Sequence, residues 1–160
     1  MSDCTMRVPV INSEDAAVLA HQLRKRGKVI VFTNGCFDLL HPGHLEILEK
    51  SREMGDFLFV GVNTDKSVAR LKGPLRPVQT LESRTAILSS LRSVDCVVPF
   101  SEDTPRELIE KILPDVLVKG GDYTVERVVG GEVVIKNGGK VKIVPLVHGF
   151  STTSIIKRSN

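Results

Sequence analysis

The chain lacks the marks of several protein classes. Its 160 residues include no tryptophan, one tyrosine and three cysteines. Cys4, Cys36 and Cys96 are odd in number and far apart, which suits a reducing compartment rather than a disulfide framework, and no CxxC or CxxH pair indicates a zinc site. No basic segment followed by an apolar one indicates a secretory signal, and no apolar run is long enough for a membrane span. We therefore expect a cytoplasmic protein.

Few aromatic residues and a mild net charge of +3 argue against a nucleic-acid partner. A surface that binds nucleic acid usually combines basic residues with interleaved aromatics, and no such stretch is present. The charge is nevertheless uneven, because one segment holds five basic residues against the single acid Glu82: Lys66, Arg70, Lys72, Arg76 and Arg84. This local excess suits a small anionic ligand, although a solvated basic face explains it equally well on composition alone.

Apolar runs alternate with amphipathic segments along the whole chain. The patterns predict strands at 28–35, 57–63, 95–100, 115–121 and 140–146, and helices at 14–26, 44–55, 64–73, 81–94, 104–113 and 151–158. In the 104–113 helix, Thr104 and Glu107 form a predicted capping box, with Pro105 at the first helical position.

Residues 131–137 fit either a helix or one strand of a hairpin that turns at Asn137-Gly138, and the surrounding alternation favours the helix.

Continuous apolar strands separated by helices predict one α/β fold: a single Rossmann-like, doubly wound, five-stranded parallel sheet with helices on both faces. This domain spans residues 13–160, and residues 1–12 are predicted to form a loosely attached N-terminal arm. Ligands of such sheets bind beyond the carboxyl ends of the strands. The chemically rich segments follow predicted strands: TNGCFD, NTDKS, KGGDY and HGFSTT.

The segment after the first strand, TNGCFDLLHPGH, carries two histidines three residues apart. The dinucleotide pattern GxGxxG and the Walker pattern GxxxxGK[ST] are both absent, which argues against NAD binding and P-loop chemistry. Pro42 fits a first helical position, and Gly43 allows close backbone approach. His41 and His44 can then donate hydrogen bonds to an anion at a helix N-terminus. Metal ligation lacks a third ligand of suitable spacing, Cys36 lacks an orienting partner for covalent catalysis, and a purely structural role for the histidines stays open.

Other segments supply further candidates for anion binding. Ser151, Thr152 and Thr153 begin a predicted helix, and ordinary N-capping explains one hydroxyl there better than three. Lys72 and Arg76 lie in a Gly- and Pro-containing loop, and Lys119 precedes Gly120-Gly121 at a strand end. Three acids are candidate contacts for sugar hydroxyls or magnesium, although each alone is more often a turn residue or a helix cap: Asp38, Asp65 and Asp122.

These residues resemble a known family. TNGCFDLLHPGH is similar to the first signature of the HxGH nucleotidyltransferases, and STTSIIKR to their second. The segments GVNTDKSVARLKGPLRPV, VVPFSEDTP and LPDVLVKGGDY narrow the resemblance to the adenylyltransferases of D-glycero-β-D-manno-heptose 1-phosphate, over residues 13–158. That activity also occurs as the C-terminal domain of a bifunctional kinase–adenylyltransferase, and this chain, without a kinase domain, resembles the stand-alone form.

The resemblance implies conversion of ATP and the heptose 1-phosphate to ADP-heptose and pyrophosphate, for lipopolysaccharide synthesis. It implies catalytic roles for His41, His44, Lys72 and Arg76. The implied nucleotide contacts are Thr33, Asn34, Gly35, Phe37, Gly43, Lys119, Gly120, Asp122, Ser151, Thr152 and Thr153. The implied contacts to the sugar phosphate are Asp38, Asn63, Asp65 and Arg84. No protein metal site is expected, since magnesium would arrive with ATP, and a homodimer or larger homo-oligomer is expected.

Two other functions remain open at this stage. A cytidylyltransferase for glycerol 3-phosphate or a similar alcohol phosphate shares the HxGH and STT segments. A non-catalytic nucleotide-binding module would share the fold, although the complete set His41, His44, Lys72 and 151–153 argues against it. The residues alone do not decide the base, the anomer, the oligomeric state or which side chains contact the heptose.

Overall fold

A computed structural model describes residues 7–159 and confirms the α/β architecture. Five strands form one sheet in which every neighbouring pair is parallel. The strands are β1 (Ile30–Gly35), β2 (Phe57–Asn63), β3 (Cys96–Phe100), β4 (Val116–Gly120) and β5 (Lys140–Val144), and their order across the sheet is β3-β2-β1-β4-β5. All five follow the predicted apolar runs within a few residues.

The helices connect the strands and cover the sheet. They are α1 (Ser13–Lys25), α2 (Pro42–Glu53), α3 (Asp65–Lys72), α4 (Leu81–Leu88), α5 (Arg106–Ile112), α6 (Gly131–Lys136) and α7 (Thr152–Ser159), with a short 3-10 helix at Val125–Arg127. The helical interpretation of 131–137 is therefore confirmed, and Pro42 does begin α2.

Two hydrophobic clusters pack against the opposite faces of the sheet. Alternate residues of one strand divide between them: Ile30 and Phe32 lie in one cluster and Val31 in the other. Residues 30–32 are fully buried, as expected for a central parallel strand with period-two side chains. The doubly wound prediction is correct because both faces of β1 are covered.

The strand order fixes where a ligand can bind. The chain leaves β1 towards β2 and β3 on one side, and then returns to place β4 and β5 on the other side. The carboxyl ends of β1 and β4 therefore diverge at a topological switch point, which leaves a crevice between the following loops. The segments after β1 and β4 meet at this crevice.

Three local expectations were wrong. Helix α4 ends at Leu88 rather than continuing to residue 94, because the chain turns through 89–95 into β3. Thr104 caps nothing: α5 begins at Arg106, with Pro105 at its N-cap and no side-chain capping bond. The described part of the N-terminal arm is not loosely attached, since Ile11 donates its N–H to Val97 O and Val97 donates to Pro9 O. Residues 1–6 of the predicted arm lie outside the described residues.

In the part of the chain that the structure describes, no helix combines the length and the apolarity that a membrane crossing requires.

Candidate active site

A cavity of about 380 Å³ opens at the switch point between β1 and β4. It brings together four segments that are far apart in sequence: the β1–α2 turn, the end of α3 with its following loop, the end of β4 and the start of α7. Its lining includes most of the predicted site residues: Thr33, Asn34, Gly35, Phe37, Asp38, His41, Gly43, His44, Lys72, Arg76, Lys119, Gly120, Ser151, Thr152 and Thr153. The two signature segments therefore face one space.

The turn between β1 and α2 is closely packed. Phe37 has φ of 48°, in the left-handed region, and its buried ring meets the His44 imidazole edge-on, with ring centroids 5.3 Å apart. A Cβ at Gly43 would lie 3.0 Å from the His41 ring, tighter than ordinary van der Waals contact. Glycine at this position lets the His41 imidazole lie against the first turn of α2, as the sequence pattern suggested.

The two histidines stack on each other, with ring centroids 3.8 Å apart. The His41 backbone N–H donates to His44 Nδ1 over 3.3 Å. Since a backbone N–H can only donate, His44 Nδ1 must accept, and the ring proton of neutral His44 then sits on Nε2. His41 Nδ1 is buried without a hydrogen-bond partner among the described residues.

Burial favours the neutral form of both imidazoles. It lowers the pKa of His41, and burial together with the neighbouring His41 lowers the pKa of His44 to about 4. Charging a desolvated imidazole is costly, so burial favours the neutral, donating form of each ring. The pair can therefore donate hydrogen bonds to an anionic oxygen without first gaining a proton.

The start of α7 presents three hydroxyls with different surroundings. Ser151 Oγ accepts the N–H of Ser154 over 3.0 Å, which is an ordinary N-cap. Thr152 Oγ1 makes only a long 3.5 Å contact to Leu39 O, and Thr153 is exposed. One hydroxyl therefore belongs to the helix end, while the other two and the free N–H groups of the first turn remain able to hold an anion.

Two lysines line the cavity without a protein partner. Among residues 7–159, neither Lys72 nor Lys119 has an ion pair or a side-chain hydrogen bond within normal distance. Burial lowers the pKa of Lys119, the neighbouring Cys36 opposes that effect and Lys72 adds to it. The Lys119 ammonium lies 5.4 Å from the centre of the Tyr123 ring. Two unneutralised cations beside a cavity attract an anionic ligand.

Asp38 is held by the protein rather than free to contact a ligand. Its carboxylate is 1% exposed and accepts the backbone N–H groups of Val78 and Gln79, each over 2.9 Å, and Arg76 Nε over 2.6 Å. Burial would raise the pKa of Asp38, but these donors outweigh it and hold the pKa below its ordinary value. Asp38 therefore fixes the loop after α3 against the β1–α2 turn, and its expected role as a sugar contact stays a prediction.

Arg84 and Asp65 do not line the first cavity and are bonded to each other. The fully buried Arg84 guanidinium donates to Cys36 O over 2.6 Å, to Asn63 O over 2.8 Å and to Asp65 Oδ1 over 2.7 Å. It also donates to Gln79 O over 3.1 Å. Arg84 thus ties the ends of β1 and β2 to α4. Neither Arg84 nor Asp65 lines the first or the second cavity, and their contact with substrate stays a prediction.

Two predicted residues lie in other spaces. Asn63 is nearly buried, donates to Ser67 Oγ over 2.9 Å and lines a second cavity beside the first. Asp122 lines a shallow space outside the loop 145–151. Sequence reasoning missed five residues that line the first cavity: Cys36, Ile47, Leu146, Val147 and Phe150. For Leu146, Val147 and Phe150 a signal was available, because they follow β5 at the same edge of the sheet.

Cys36 is poorly suited to act as a nucleophile. Burial raises the pKa of its thiol, even though Lys72, Arg84 and Arg76 act in the opposite direction. A thiol that stays protonated near neutral pH reacts slowly. Within residues 7–159, no group of three or more histidine, cysteine or acidic side chains is arranged to hold a metal ion.

The chain is similar to one protein family and to several known proteins. A cytidylyltransferase-like family model matches residues 32–158. Bifunctional protein HldE of Actinobacillus pleuropneumoniae serotype 5b (strain L20) is 52% identical over 149 residues, which are 93% of this chain and 31% of that protein. The protein of the same name from Caulobacter vibrioides is 54% identical over 153 residues, 96% of this chain and 32% of its own length. The chain thus spans about a third of the length of these relatives.

Two solved structures share the fold. A lipopolysaccharide core biosynthesis protein from Thermoplasma volcanium GSS1 is 33% identical with a TM-score of 0.60, and the match covers 76% of this chain and 98% of that one. Pantoate-beta-alanine ligase from Francisella tularensis, solved with beta-gamma ATP and beta-alanine, has a TM-score of 0.64 over 94% of this chain and 76% of its own. At 15% identity, that second likeness concerns the fold alone.

Proposed function

From the premise that the chain belongs to the cytidylyltransferase-like family and is a nucleotidyltransferase, we propose that it transfers the adenylyl group of ATP to D-glycero-β-D-manno-heptose 1-phosphate, releasing pyrophosphate and forming ADP-heptose. The names of the relatives support a place in lipopolysaccharide core synthesis, since one is a lipopolysaccharide core biosynthesis protein. The protein would act as a homodimer or larger homo-oligomer, an expectation that rests on the family resemblance.

One observation carries the proposal. The stacked His41–His44 pair, the hydroxyls at the start of α7, and the unpaired Lys72 and Lys119 all line a single cavity at the switch point. Each feature alone has an ordinary structural explanation. Neutral donors, a helix N-terminus and two free cations around one space together match the distributed negative charge of a triphosphate.

The proposed reaction requires no general base from the protein. The attacking group is an oxygen of the sugar phosphate, which is already ionised near neutral pH. That oxygen forms a bond to the α-phosphorus of ATP, and the bond from the α-phosphorus to the bridging oxygen of pyrophosphate breaks. Catalysis then depends on aligning the attacking oxygen with the leaving group and on stabilising the charge that develops on the α-phosphate.

The geometry suggests a division of roles. The neutral His44 donates from Nε2, and His41 lies stacked beside it, so the pair would hold the α-phosphate and its bridging oxygen. The first turn of α7 would hold the β- and γ-phosphates through Thr152, Thr153 and the backbone N–H groups. Lys72 would stabilise the transition state from the end of α3. Magnesium is proposed to enter with ATP and to take most of its ligands from phosphates and water.

The apolar side of the cavity suits the base. The apolar part of the cavity wall consists of Ile47 on α2 and of Leu146, Val147 and Phe150 in the segment after β5. A flat purine is favourably buried against apolar and aromatic side chains. This wall would take the adenine, and the polar groups of the β1–α2 turn would then face the phosphates.

A panel of substrates tests the proposal. ATP, CTP, GTP and UTP are each paired with the β and α anomers of the heptose 1-phosphate, with mannose 1-phosphate and with glycerol 3-phosphate, and pyrophosphate release is measured. We expect the highest kcat/KM for ATP with the β anomer. A preference for CTP with glycerol 3-phosphate would replace the proposal with the alcohol-phosphate cytidylyltransferase, and no pyrophosphate from any pair would favour a non-catalytic module.

A further inference from the structure

A second cavity of about 420 Å³ lies beside the first at the same edge of the sheet. The two cavities share five lining residues, which therefore form a common wall: Asn34, Gly35, Cys36, Lys72 and Lys119. The second cavity extends from this wall over β2 and the loops that follow β3 and β4. None of the predicted nucleotide contacts outside the common wall lines it.

The chemistry of the second cavity differs from that of the first. It contains neither the histidine pair nor the hydroxyls of α7. Its polar side chains beyond the common wall are Asn63, Asp103, Thr104, Tyr123 and Arg127. This mixture of hydroxyl, amide and charged groups suits a ligand with many hydroxyls better than a flat base.

The charge of the second cavity favours an anion. Lys72, Lys119 and Arg127 line it, against the single carboxylate of Asp103. That carboxylate is already engaged, because Arg70 Nε donates to it over 2.9 Å. The two lysines lie in the common wall, so the strongest attraction for a phosphate lies where the second cavity meets the first.

The common wall lies where the nucleotide and the acceptor would meet, since it lines both cavities. In nucleotidyl transfer, the attacking oxygen and the leaving pyrophosphate stand on opposite sides of the α-phosphorus. The groups proposed to hold the β- and γ-phosphates, at the start of α7, line the first cavity only. An acceptor in the second cavity would meet the nucleotide at the wall with Lys72 and Lys119 without competing for the α7 groups.

We propose that the second cavity is the acceptor site and takes a polyhydroxylated sugar phosphate, with its phosphate between Lys72 and Lys119 and its hydroxyls towards Thr104 and Tyr123. This inference rests on the proposed function and extends it, since it places acceptor specificity on the loops after β3 and β4. Thr104 is exposed and its hydroxyl has no hydrogen-bond partner among residues 7–159. The failed prediction of a capping role for Thr104 thus leaves its hydroxyl free to contact the acceptor.

The test compares Thr104→Val with a matched control, Thr124→Val. Both changes replace a hydroxyl by a methyl group on an exposed threonine, but Thr124 lines neither cavity. For each variant and the wild type, pyrophosphate release is measured against heptose 1-phosphate at saturating ATP, and against ATP at saturating heptose 1-phosphate. Melting temperatures confirm that both variants are folded.

We expect Thr104→Val to raise the KM for the sugar phosphate about tenfold, the scale of one lost hydrogen bond, with the KM for ATP unchanged. Thr124→Val should match the wild type in both. An unchanged sugar-phosphate KM in Thr104→Val, or an increase confined to the KM for ATP, would overturn the acceptor assignment while leaving adenylyl transfer intact. A wild type that releases no pyrophosphate with any acceptor would instead overturn the proposed function, and the acceptor site with it.

Discussion

The charged and polar groups at the carboxyl edge of the sheet fall into two regions with opposite properties. In the first, Asp38 of the β1–α2 turn with Arg76, and Asp65 of α3 with Arg84 of α4, are bonded to each other and to backbone groups. In the second, Lys72 at the end of α3, Lys119 at the end of β4 and His44 at the start of α2 face the cavity, with no protein acceptor for their side-chain N–H groups among residues 7–159. We call these the bonded region and the free region.

The presence or absence of hydrogen-bond partners indicates whether a region stabilises the fold or binds a ligand. A buried charge is costly unless its hydrogen bonds are satisfied, and those of Arg84 are, by three carbonyls and one carboxylate. Such a group stabilises the position of strands and loops. A cation beside a cavity with no partner gains its partner only from a ligand. Substitutions in the bonded region should therefore lower stability, and those in the free region should lower turnover.

The largest effect is expected in the bonded region, at Arg84. Arg84→Met leaves Asp65 and the carbonyls of Cys36 and Asn63 without their donor, so the free energy of unfolding should fall by about 3–5 kcal/mol. Chemical denaturation measures this loss. Arg92→Met, on an exposed arginine that lines neither cavity, should stay within about 0.5 kcal/mol of the wild type. A stable Arg84→Met that loses only turnover would contradict the division into two regions.

The next largest effect is expected at His44 in the free region. His44→Ala removes a preorganised donor to the α-phosphate, so kcat should fall about 10²–10³-fold. His21→Ala, on the exposed surface of α1, serves as the control and should keep wild-type turnover. Steady-state pyrophosphate release measures both. Near-normal kcat in a folded His44→Ala would remove the histidine pair from the proposed mechanism.

A smaller effect is expected at Lys72. Lys72→Ala should lower kcat about 10²-fold with little change in ATP affinity, because the lysine is proposed to act on the transition state. Lys66 lies on the same helix but lines neither cavity, so Lys66→Ala controls for the lost charge. Calorimetry gives the ATP affinity and single-turnover kinetics the chemical step. Abolished ATP binding with an intact chemical step would mean that Lys72 only holds the nucleotide.

The smallest expected effect is the pH dependence that follows from the lowered pKa of His44. Because the pKa of His44 is about 4 in the folded protein and 6.5 is its ordinary value, the unfolded chain binds more protons between these pH values. Stability from this group should therefore decline as the pH falls from 6.5 towards 4. Nuclear magnetic resonance should show His44 titrating near 4, with its proton on Nε2 at neutral pH. A midpoint at or above 6.5 would contradict a desolvated His44.

Patterns local in sequence predicted much of this molecule. The apolar runs predicted all five strands, and the β1–α2 and α7 segments predicted most of the first cavity, because the carboxyl ends of parallel strands meet at one edge. Composition and spacing did not separate the bonded from the free region. Asp38 and Lys72 both fit an active-site loop, and only the three donors around Asp38 show that its carboxylate is already satisfied.

The second cavity was beyond sequence reasoning for a related reason. Its lining comes from seven separate stretches of one to three residues, and no short motif joins them. Thr104 was assigned to a helix cap because its spacing to Glu107 fits a capping box. The backbone begins α5 at Arg106, one residue after the predicted first helical position. Side-chain roles at the ends of elements depend on where the backbone actually begins each helix.

The central claim is that the protein transfers a nucleotidyl group from ATP to a sugar phosphate, and ³¹P nuclear magnetic resonance of the reaction tests it most directly. The substrates are ATP and D-glycero-β-D-manno-heptose 1-phosphate. The account predicts that the three ATP signals and the sugar-phosphate signal are replaced by the signal of free pyrophosphate and the two coupled signals of a nucleoside diphosphate sugar. Formation of ADP with a sugar bisphosphate or inorganic phosphate would place the attack at the γ-phosphorus and contradict the account.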